Sequence, residues 1–156
     1  MTAETINGDL KVMVPDGYRE MSAEEMKAMF LDENPNRWAM RNEVMHHTVA
    51  VFYHKSDPFL SMLADAKSVA ESTQLRLAEG LLSHQYRKGE SFPLTVCGQK
   101  AYGFTYRYVN HEVPTDGTVI VFKHGNICYT VYGYSAQDYT DANRPVFEST
   151  CNSMQF

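Results

Sequence analysis

Six histidines, His46, His47, His54, His84, His111 and His124, are the first residues in this chain that could bind a metal or move a proton. No two of them have H-x-H or H-x-x-x-H spacing. On a strand, adjacent His46 and His47 would point to opposite faces and could not share an ion. His46 and His54 would share a face, but at strand rise they stand ~27 Å apart. His111-Glu112 opens like a zincin motif, yet Thr115 occupies the place of the second histidine. Only a site assembled across strands is left open. Gly133-Tyr134-Ser135-Ala136-Gln137 lacks the second glycine of a nucleophile elbow. Gly98, Gly103 and Thr105 have phosphate-loop spacing, but Phe104 stands where the phosphate-binding lysine is required. Asp138, Asp141 and Glu148 fit helix-terminal charges and a solvated face. No nucleophile–base or acid–base pair emerges, so the expectation is a protein that is not an enzyme, with no metal and no cofactor.

The bulk properties narrow the partners. A net charge of −5, with Arg87-Lys88 as the longest basic run, argues against nucleic acid, whose binding needs phosphate neutralisation. Cys97, Cys128 and Cys151 are odd in number and form no C-x-x-C pair, so they read as small buried hydrophobes. No run approaches the ~18 apolar residues of a membrane span. The amino terminus has no basic region followed by an apolar stretch. As it stands the chain reads as cytoplasmic, or as exported and envelope-associated if a signal has been removed. Its 156 residues suit one domain spanning 1–156.

The aromatic pattern is the strongest pointer to binding. Tyr102, Phe104, Tyr106 and Tyr108 alternate, so on a strand all four point the same way. The stripe reads either as core packing under a helix or as an aromatic surface for a peptide or apolar ligand. In the second reading Trp38 and Arg41 border it, and the candidate binding surface is Trp38, Arg41, Tyr102, Tyr106 and Tyr108. Nine methionines, six of them before residue 41, suit an adaptable binding face and a plastic core equally.

The elements that must position these residues follow from periodicity. Leu10, Val12 and Val14 alternate as a strand ended by the Pro15-Asp16-Gly17 turn. Ser22 and Glu25 form a capping box, with Met21 and Met26 at the staple positions. Met26, Met29 and Phe30 then give that short helix an apolar stripe. Strands are expected at Arg37–Arg41 and His46–Lys55. After the Ser56-Asp57-Pro58 loop, Leu63, Ala66, Val69, Ala70, Leu77 and Leu81 mark the main helix, with polar Thr73 on the same face and Gly80 near its end. Four strands follow: His84 to about Glu90, Gln99–Val109, Thr118–Lys123 and Asn126–Tyr134. Pro93, and Pro114 with Asp116-Gly117, are read as loops. The last hairpin turns at His124-Gly125 or at Gly125-Asn126; the first choice sets Phe122 opposite Ile127 and Ile120 opposite Tyr129. A final helix has Pro145 in its first turn, then Val146, Phe147, Thr150, Cys151 and Met154 near one face.

The last hairpin is apolar on both faces, so both faces of its sheet need covers. The expected fold class is α+β, an antiparallel β-sheet sandwiched between helices. The strand ending in Val14-Pro15-Asp16-Gly17-Tyr18, the capped helix, the Gly98-x-x-Ala101 turn, the Gly125 hairpin and the C-terminal helix with Phe147 together resemble the Mog/PsbP-like fold. That fold is shared by a Ran-binding nuclear import factor, the photosystem II extrinsic protein PsbP and small bacterial proteins. The resemblance implies a small bacterial, non-catalytic module that binds another protein or takes part in an assembly. A small-ligand-binding domain of an envelope protein, marked by a closed cavity beside Tyr102–Tyr108, is the alternative. A hydrolase would show a histidine hydrogen-bonded to a nucleophile. A deep polar pocket with convergent His or carboxylate groups would count against a binding module.

Overall fold

A computed structural model describes residues 1–55 and 64–156. The Ser56-Asp57-Pro58 loop and Leu63 lie outside the described residues. The elements are β1 (Thr2–Ile6), β2 (Leu10–Val14), β3 (Arg19–Glu20), α1 (Ala23–Phe30), β4 (Arg37–Asn42), β5 (His47–Lys55), α2 (Ala66–Gly80), β6 (Arg87–Val96), β7 (Gln99–Asn110), β8 (Val113–His124), β9 (Ile127–Ala136) and α3 (Thr140–Ser153). β1 and β2 form a separate hairpin; the other strands form an antiparallel sheet in the order β3-β4-β5-β9-β8-β7-β6.

Strand alternation divides the core between the two faces of this sheet. On the first face, Met40, Val49, Val51, Ile120, Phe122, Tyr129 and Val131 pack with Leu10, Val12 and Val14 of the hairpin and with Phe147 and Cys151 of α3. On the second, Phe104, Tyr106, Val119 and Val121 meet Val69, Ala70 and Leu77 of α2. Ala39 and Ala50 meet Met21, Met26 and Phe30 at α1. The fold is an α+β sandwich with an antiparallel sheet at its centre.

Local signals hold where the chain is locally determined. Ser22 accepts from the Glu25 amide and the Glu25 carboxylate accepts from the Ser22 amide, which closes the capping box. Asp65, a residue the pattern did not single out, caps α2 in the same manner at Ser68. Met29 departs from its expected stripe and is exposed.

Three boundaries are corrected, and the choice of hairpin turn is decided. Pro93 does not end a strand: it lies inside β6, and β6 is the edge of the sheet, where a missing amide donor is tolerated. Pro114, Asp116 and Gly117 all belong to β8. β9 pairs with β8 only as far as Thr115, so Pro114 lies beyond it with β7 alone as neighbour. Gly117 is needed for close approach instead of a turn, because the Tyr106 ring fills the space of a Cβ. The last hairpin turns at Gly125-Asn126, which pairs Phe122 with Tyr129 and Ile120 with Val131. That shift of two residues preserves each side chain's face, and so the two-sided pattern survives. Finally, α3 starts at Thr140, which puts Pro145 in its second turn.

Candidate functional site

The five residues singled out from the sequence do not meet on one surface. Tyr102, Phe104, Tyr106 and Tyr108 share the second face and lie against α2. Phe104 and Tyr106 are 1% and 2% exposed, so the centre of the stripe is core. Tyr86, Tyr106 and Tyr108 stack at 5.9 and 5.7 Å, and burial pushes the Tyr108 hydroxyl up to about 12. Trp38 is buried on the opposite face, in the core beneath the β1–β2 hairpin. Arg41 shares the tyrosines' face and donates to Thr48 Oγ1 and to Glu43. It stands four strands from Tyr106, ~19 Å at the usual strand spacing.

A polar site exists elsewhere, on the first face beside α3. The registers Asn42–His47, His47–Ser135, Ser135–Asp116, Asp116–Arg107 and Arg107–Arg87 set six polar residues in one row across the sheet. One step deeper lie Gly133, Thr118 and Thr105; deeper still the face becomes apolar. Small residues in that second step leave room. Gly133 is the extreme case, because the Phe147 ring of α3 sits 2.8 Å from where a Cβ would be. The first turns of α3 supply a wall through Thr140, Asn143 and Arg144. The result is a half-open cleft of about 430 Å³ whose rim is completed by the β6 backbone at Lys88 to Glu90, the Lys88 side chain pointing to Tyr106's face.

Its side chains are already tied to one another. Asp116 accepts from Arg107 Nε at 2.8 Å and from Thr140 Oγ1 at 2.6 Å. Asn143 donates from Nδ2 to the Met45 carbonyl at 2.9 Å and to Ser135 Oγ at 2.8 Å. Ser135 gives its own proton to the Ala136 carbonyl. His47 Nδ1 meets the Tyr18 hydroxyl at 2.5 Å. Burial pushes Tyr18 up to about 12, so its hydroxyl keeps its proton and donates it. Burial, reinforced by the Arg41 charge, holds His47 down at about 4. His47 is therefore a neutral imidazole at pH 7 with its ring proton on Nε2.

Ser135, His47 and Asp116 are the residue types of a hydrolytic triad, but they are not wired as one. The serine is bonded to Asn143 and Ala136, and the histidine to Tyr18. Asp116 lies two strands from His47, ~10 Å away. A base with a pKa near 4 is also poorly matched to work at neutral pH. The cysteines offer no nucleophile: burial pushes Cys97 up to about 11 and Cys151 up to about 12, and raises Cys128. Among the described residues no three His, Cys, Asp or Glu side chains converge as a metal site. His46 is not on a strand at all: it takes a left-handed turn conformation and packs its ring at a tilt against Tyr139. His111 and Glu112 are the two left-handed residues of the β7–β8 turn.

The row was invisible in the sequence because it draws one residue from each of six strands. In the sequence its members belong to unrelated local patterns: Ser135 to an incomplete nucleophile elbow, His47 to a histidine pair, Arg87 to a two-residue basic run and Asp116 to a turn signal. The accessible signal was the inward parity of Asp116 with Ile120 and Phe122, once β8 is allowed to continue through Pro114.

No family model and no curated protein matches this chain. Solved structures do. The chain is similar to cyanobacterial PsbP (CyanoP) from Synechocystis sp. PCC 6803, with TM-score 0.74 and 15% identity, over 99% of this chain and 91% of that one. It is also similar to LpqN, involved in cell envelope biogenesis of Mycobacterium tuberculosis, with TM-score 0.53 and 14% identity, over 99% and 88%. A protein from Bacteroides thetaiotaomicron matches with TM-score 0.59 and 7% identity, over 97% of this chain and 46% of that one. At these identities the likeness is one of architecture, and the chain has the PsbP-like fold.

Proposed function

We propose that this chain is a non-catalytic binding module that receives part of a partner protein in the cleft between α3 and the polar end of the sheet. The polar row from His47 to Arg87 carries this reading, because it gives the cleft a recognition surface whose acid, base and hydroxyl groups are each committed elsewhere. The cleft does gather one histidine and two carboxylates, the arrangement that would favour chemistry. What favours binding is their wiring: Asp116 is held by Arg107 and Thr140, and His47 by Tyr18. The PsbP-like architecture, and the link of one structural neighbour to envelope biogenesis, are consistent with a partner at the cell envelope. No helix of the described residues is long and apolar enough to cross a membrane.

A small-ligand reading draws on one specific observation, a volume of about 430 Å³, which falls in the usual range of ligand pockets. The two are separated by a cross-linking experiment in the native host, with a photoreactive residue replacing exposed Arg144 on the α3 wall. The binding-module reading expects a discrete protein adduct that disappears when Thr118→Phe fills the cleft floor. Adducts that persist in Thr118→Phe would contradict it. So would turnover of an ester, amide or phosphate substrate that is lost in Ser135→Ala.

A further inference from the structure

Arg87 and Arg107 stand directly opposite one another across β6 and β7, on the face that lines the cleft. Like charges at a direct cross-strand position oppose sheet pairing. Arg107 is met by Asp116, whereas Arg87 has no ion-pair partner among the described residues. Arg144 brings a third cation to the same opening, where the carboxylates are Glu90 and Asp116. Arg144 meets the exposed Asp141 carboxylate at 3.4 Å. Arg87 is thus a cation of the cleft face that no carboxylate of the described residues meets, in a chain whose net charge is −5.

The inner wall carries an independent sign of a missing partner. Asn143 is 1% exposed and spends its amide hydrogens on Met45 and Ser135, which leaves Oδ1 buried with nothing to accept from. An unmet buried acceptor costs on the order of 1–3 kcal/mol, and a donor on an incoming group would remove that cost.

We infer that the occupant of the cleft is an acidic segment of a partner protein, with an Asp or Glu carboxylate between Arg87 and Arg107 and a backbone N–H donated to Asn143 Oδ1. This rests on the binding-module reading above. A peptide supplies both groups at the required reach. Arg107 and Ser135, which Asn143 holds, are two strands or ~10 Å apart, and an extended chain covers that in about three residues. The planar guanidinium fork suits a carboxylate in particular. The cleft is half-open, so the chain can enter and leave on either side of the seated residues.

The test uses the full chain, labelled with nitrogen-15, at low ionic strength. Three probes are titrated: the acetylated, amidated pentapeptide Gly-Ala-Glu-Ala-Gly, its Gln counterpart, and acetate. The Glu peptide is expected to move the amide signals of Thr105, Thr118 and Ser135, and to bind several-fold more tightly than the Gln peptide. Arg87→Gln is expected to weaken it by roughly fivefold or more. Its unfolding midpoint should be no lower than that of the parent, because an opposed like-charge pair is gone. Equal binding of the Gln peptide, or indifference to Arg87→Gln, overturns the acidic assignment while leaving the cleft as a binding surface. Acetate moving the same signals as strongly as the peptide overturns the peptide as source. If no probe moves them, the acidic assignment fails, and the cross-link from position 144 decides separately whether the cleft binds anything.

Discussion

His47 shows how one side chain's surroundings set both its role and its cost. Buried on the first face and bonded to Tyr18, it stays neutral, with its pKa down at about 4 against an ordinary 6.5. The unfolded chain therefore takes up a proton near pH 6.5 that the folded chain refuses until about pH 4. Folding stability should be fully present above pH 6.5, fall as pH drops from 6.5 to about 4, and level off below that. The loss should be on the order of 2–3 kcal/mol. Urea unfolding across pH 7 to 4.5 measures it, and the slope should be much reduced in His47→Gln. The part of the slope above about pH 5.5 belongs to His47 and not to Glu25, which is held down at about 2 by Arg19 and the Ser22 amide and titrates in the unfolded chain only around its ordinary 4.5. At the helix start, Ser22→Ala should cost about 1 kcal/mol by removing half of the capping box, read from the same unfolding curves.

At the scale of elements, the contact between β9 and α3 decides whether the cleft keeps its shape. A methyl at Gly133 would collide with the Phe147 ring. Gly133→Ala should destabilise the fold by about 1–3 kcal/mol, as overpacking does, and adding Phe147→Leu should recover part of that loss. A double-mutant cycle on the urea midpoint checks the coupling; strictly additive losses would mean that the ring does not seat on Gly133. The same elements show how much the sequence discloses. Capping boxes, alternation and the two-faced β8–β9 hairpin are local, and they led to the sandwich directly. Pro93 and Pro114 misled because a proline's effect depends on whether its strand has a neighbour at that point, which is a property of the sheet. The candidate site failed to show for the same reason. Arg87, Arg107, Asp116, Ser135 and His47 become neighbours only through the order β5-β9-β8-β7-β6. The aromatic stripe was legible as a stripe, but not its placement under α2, nor the alternation that sends Trp38 to the far face.

For the whole molecule, the account rests on an asymmetry between the two faces of one sheet. The second face is covered by α1 and α2 and spends its tyrosines on packing. The first is closed by the hairpin and α3 at one end and is left polar and open at the other. The measurement that tests this most directly is the photo-cross-link from position 144 in the native host, run beside Thr118→Phe. The account predicts a discrete protein adduct in the parent and none in Thr118→Phe, with both proteins equally folded. An adduct that survives filling of the cleft, or one that forms only from positions over α1 and α2, would contradict it.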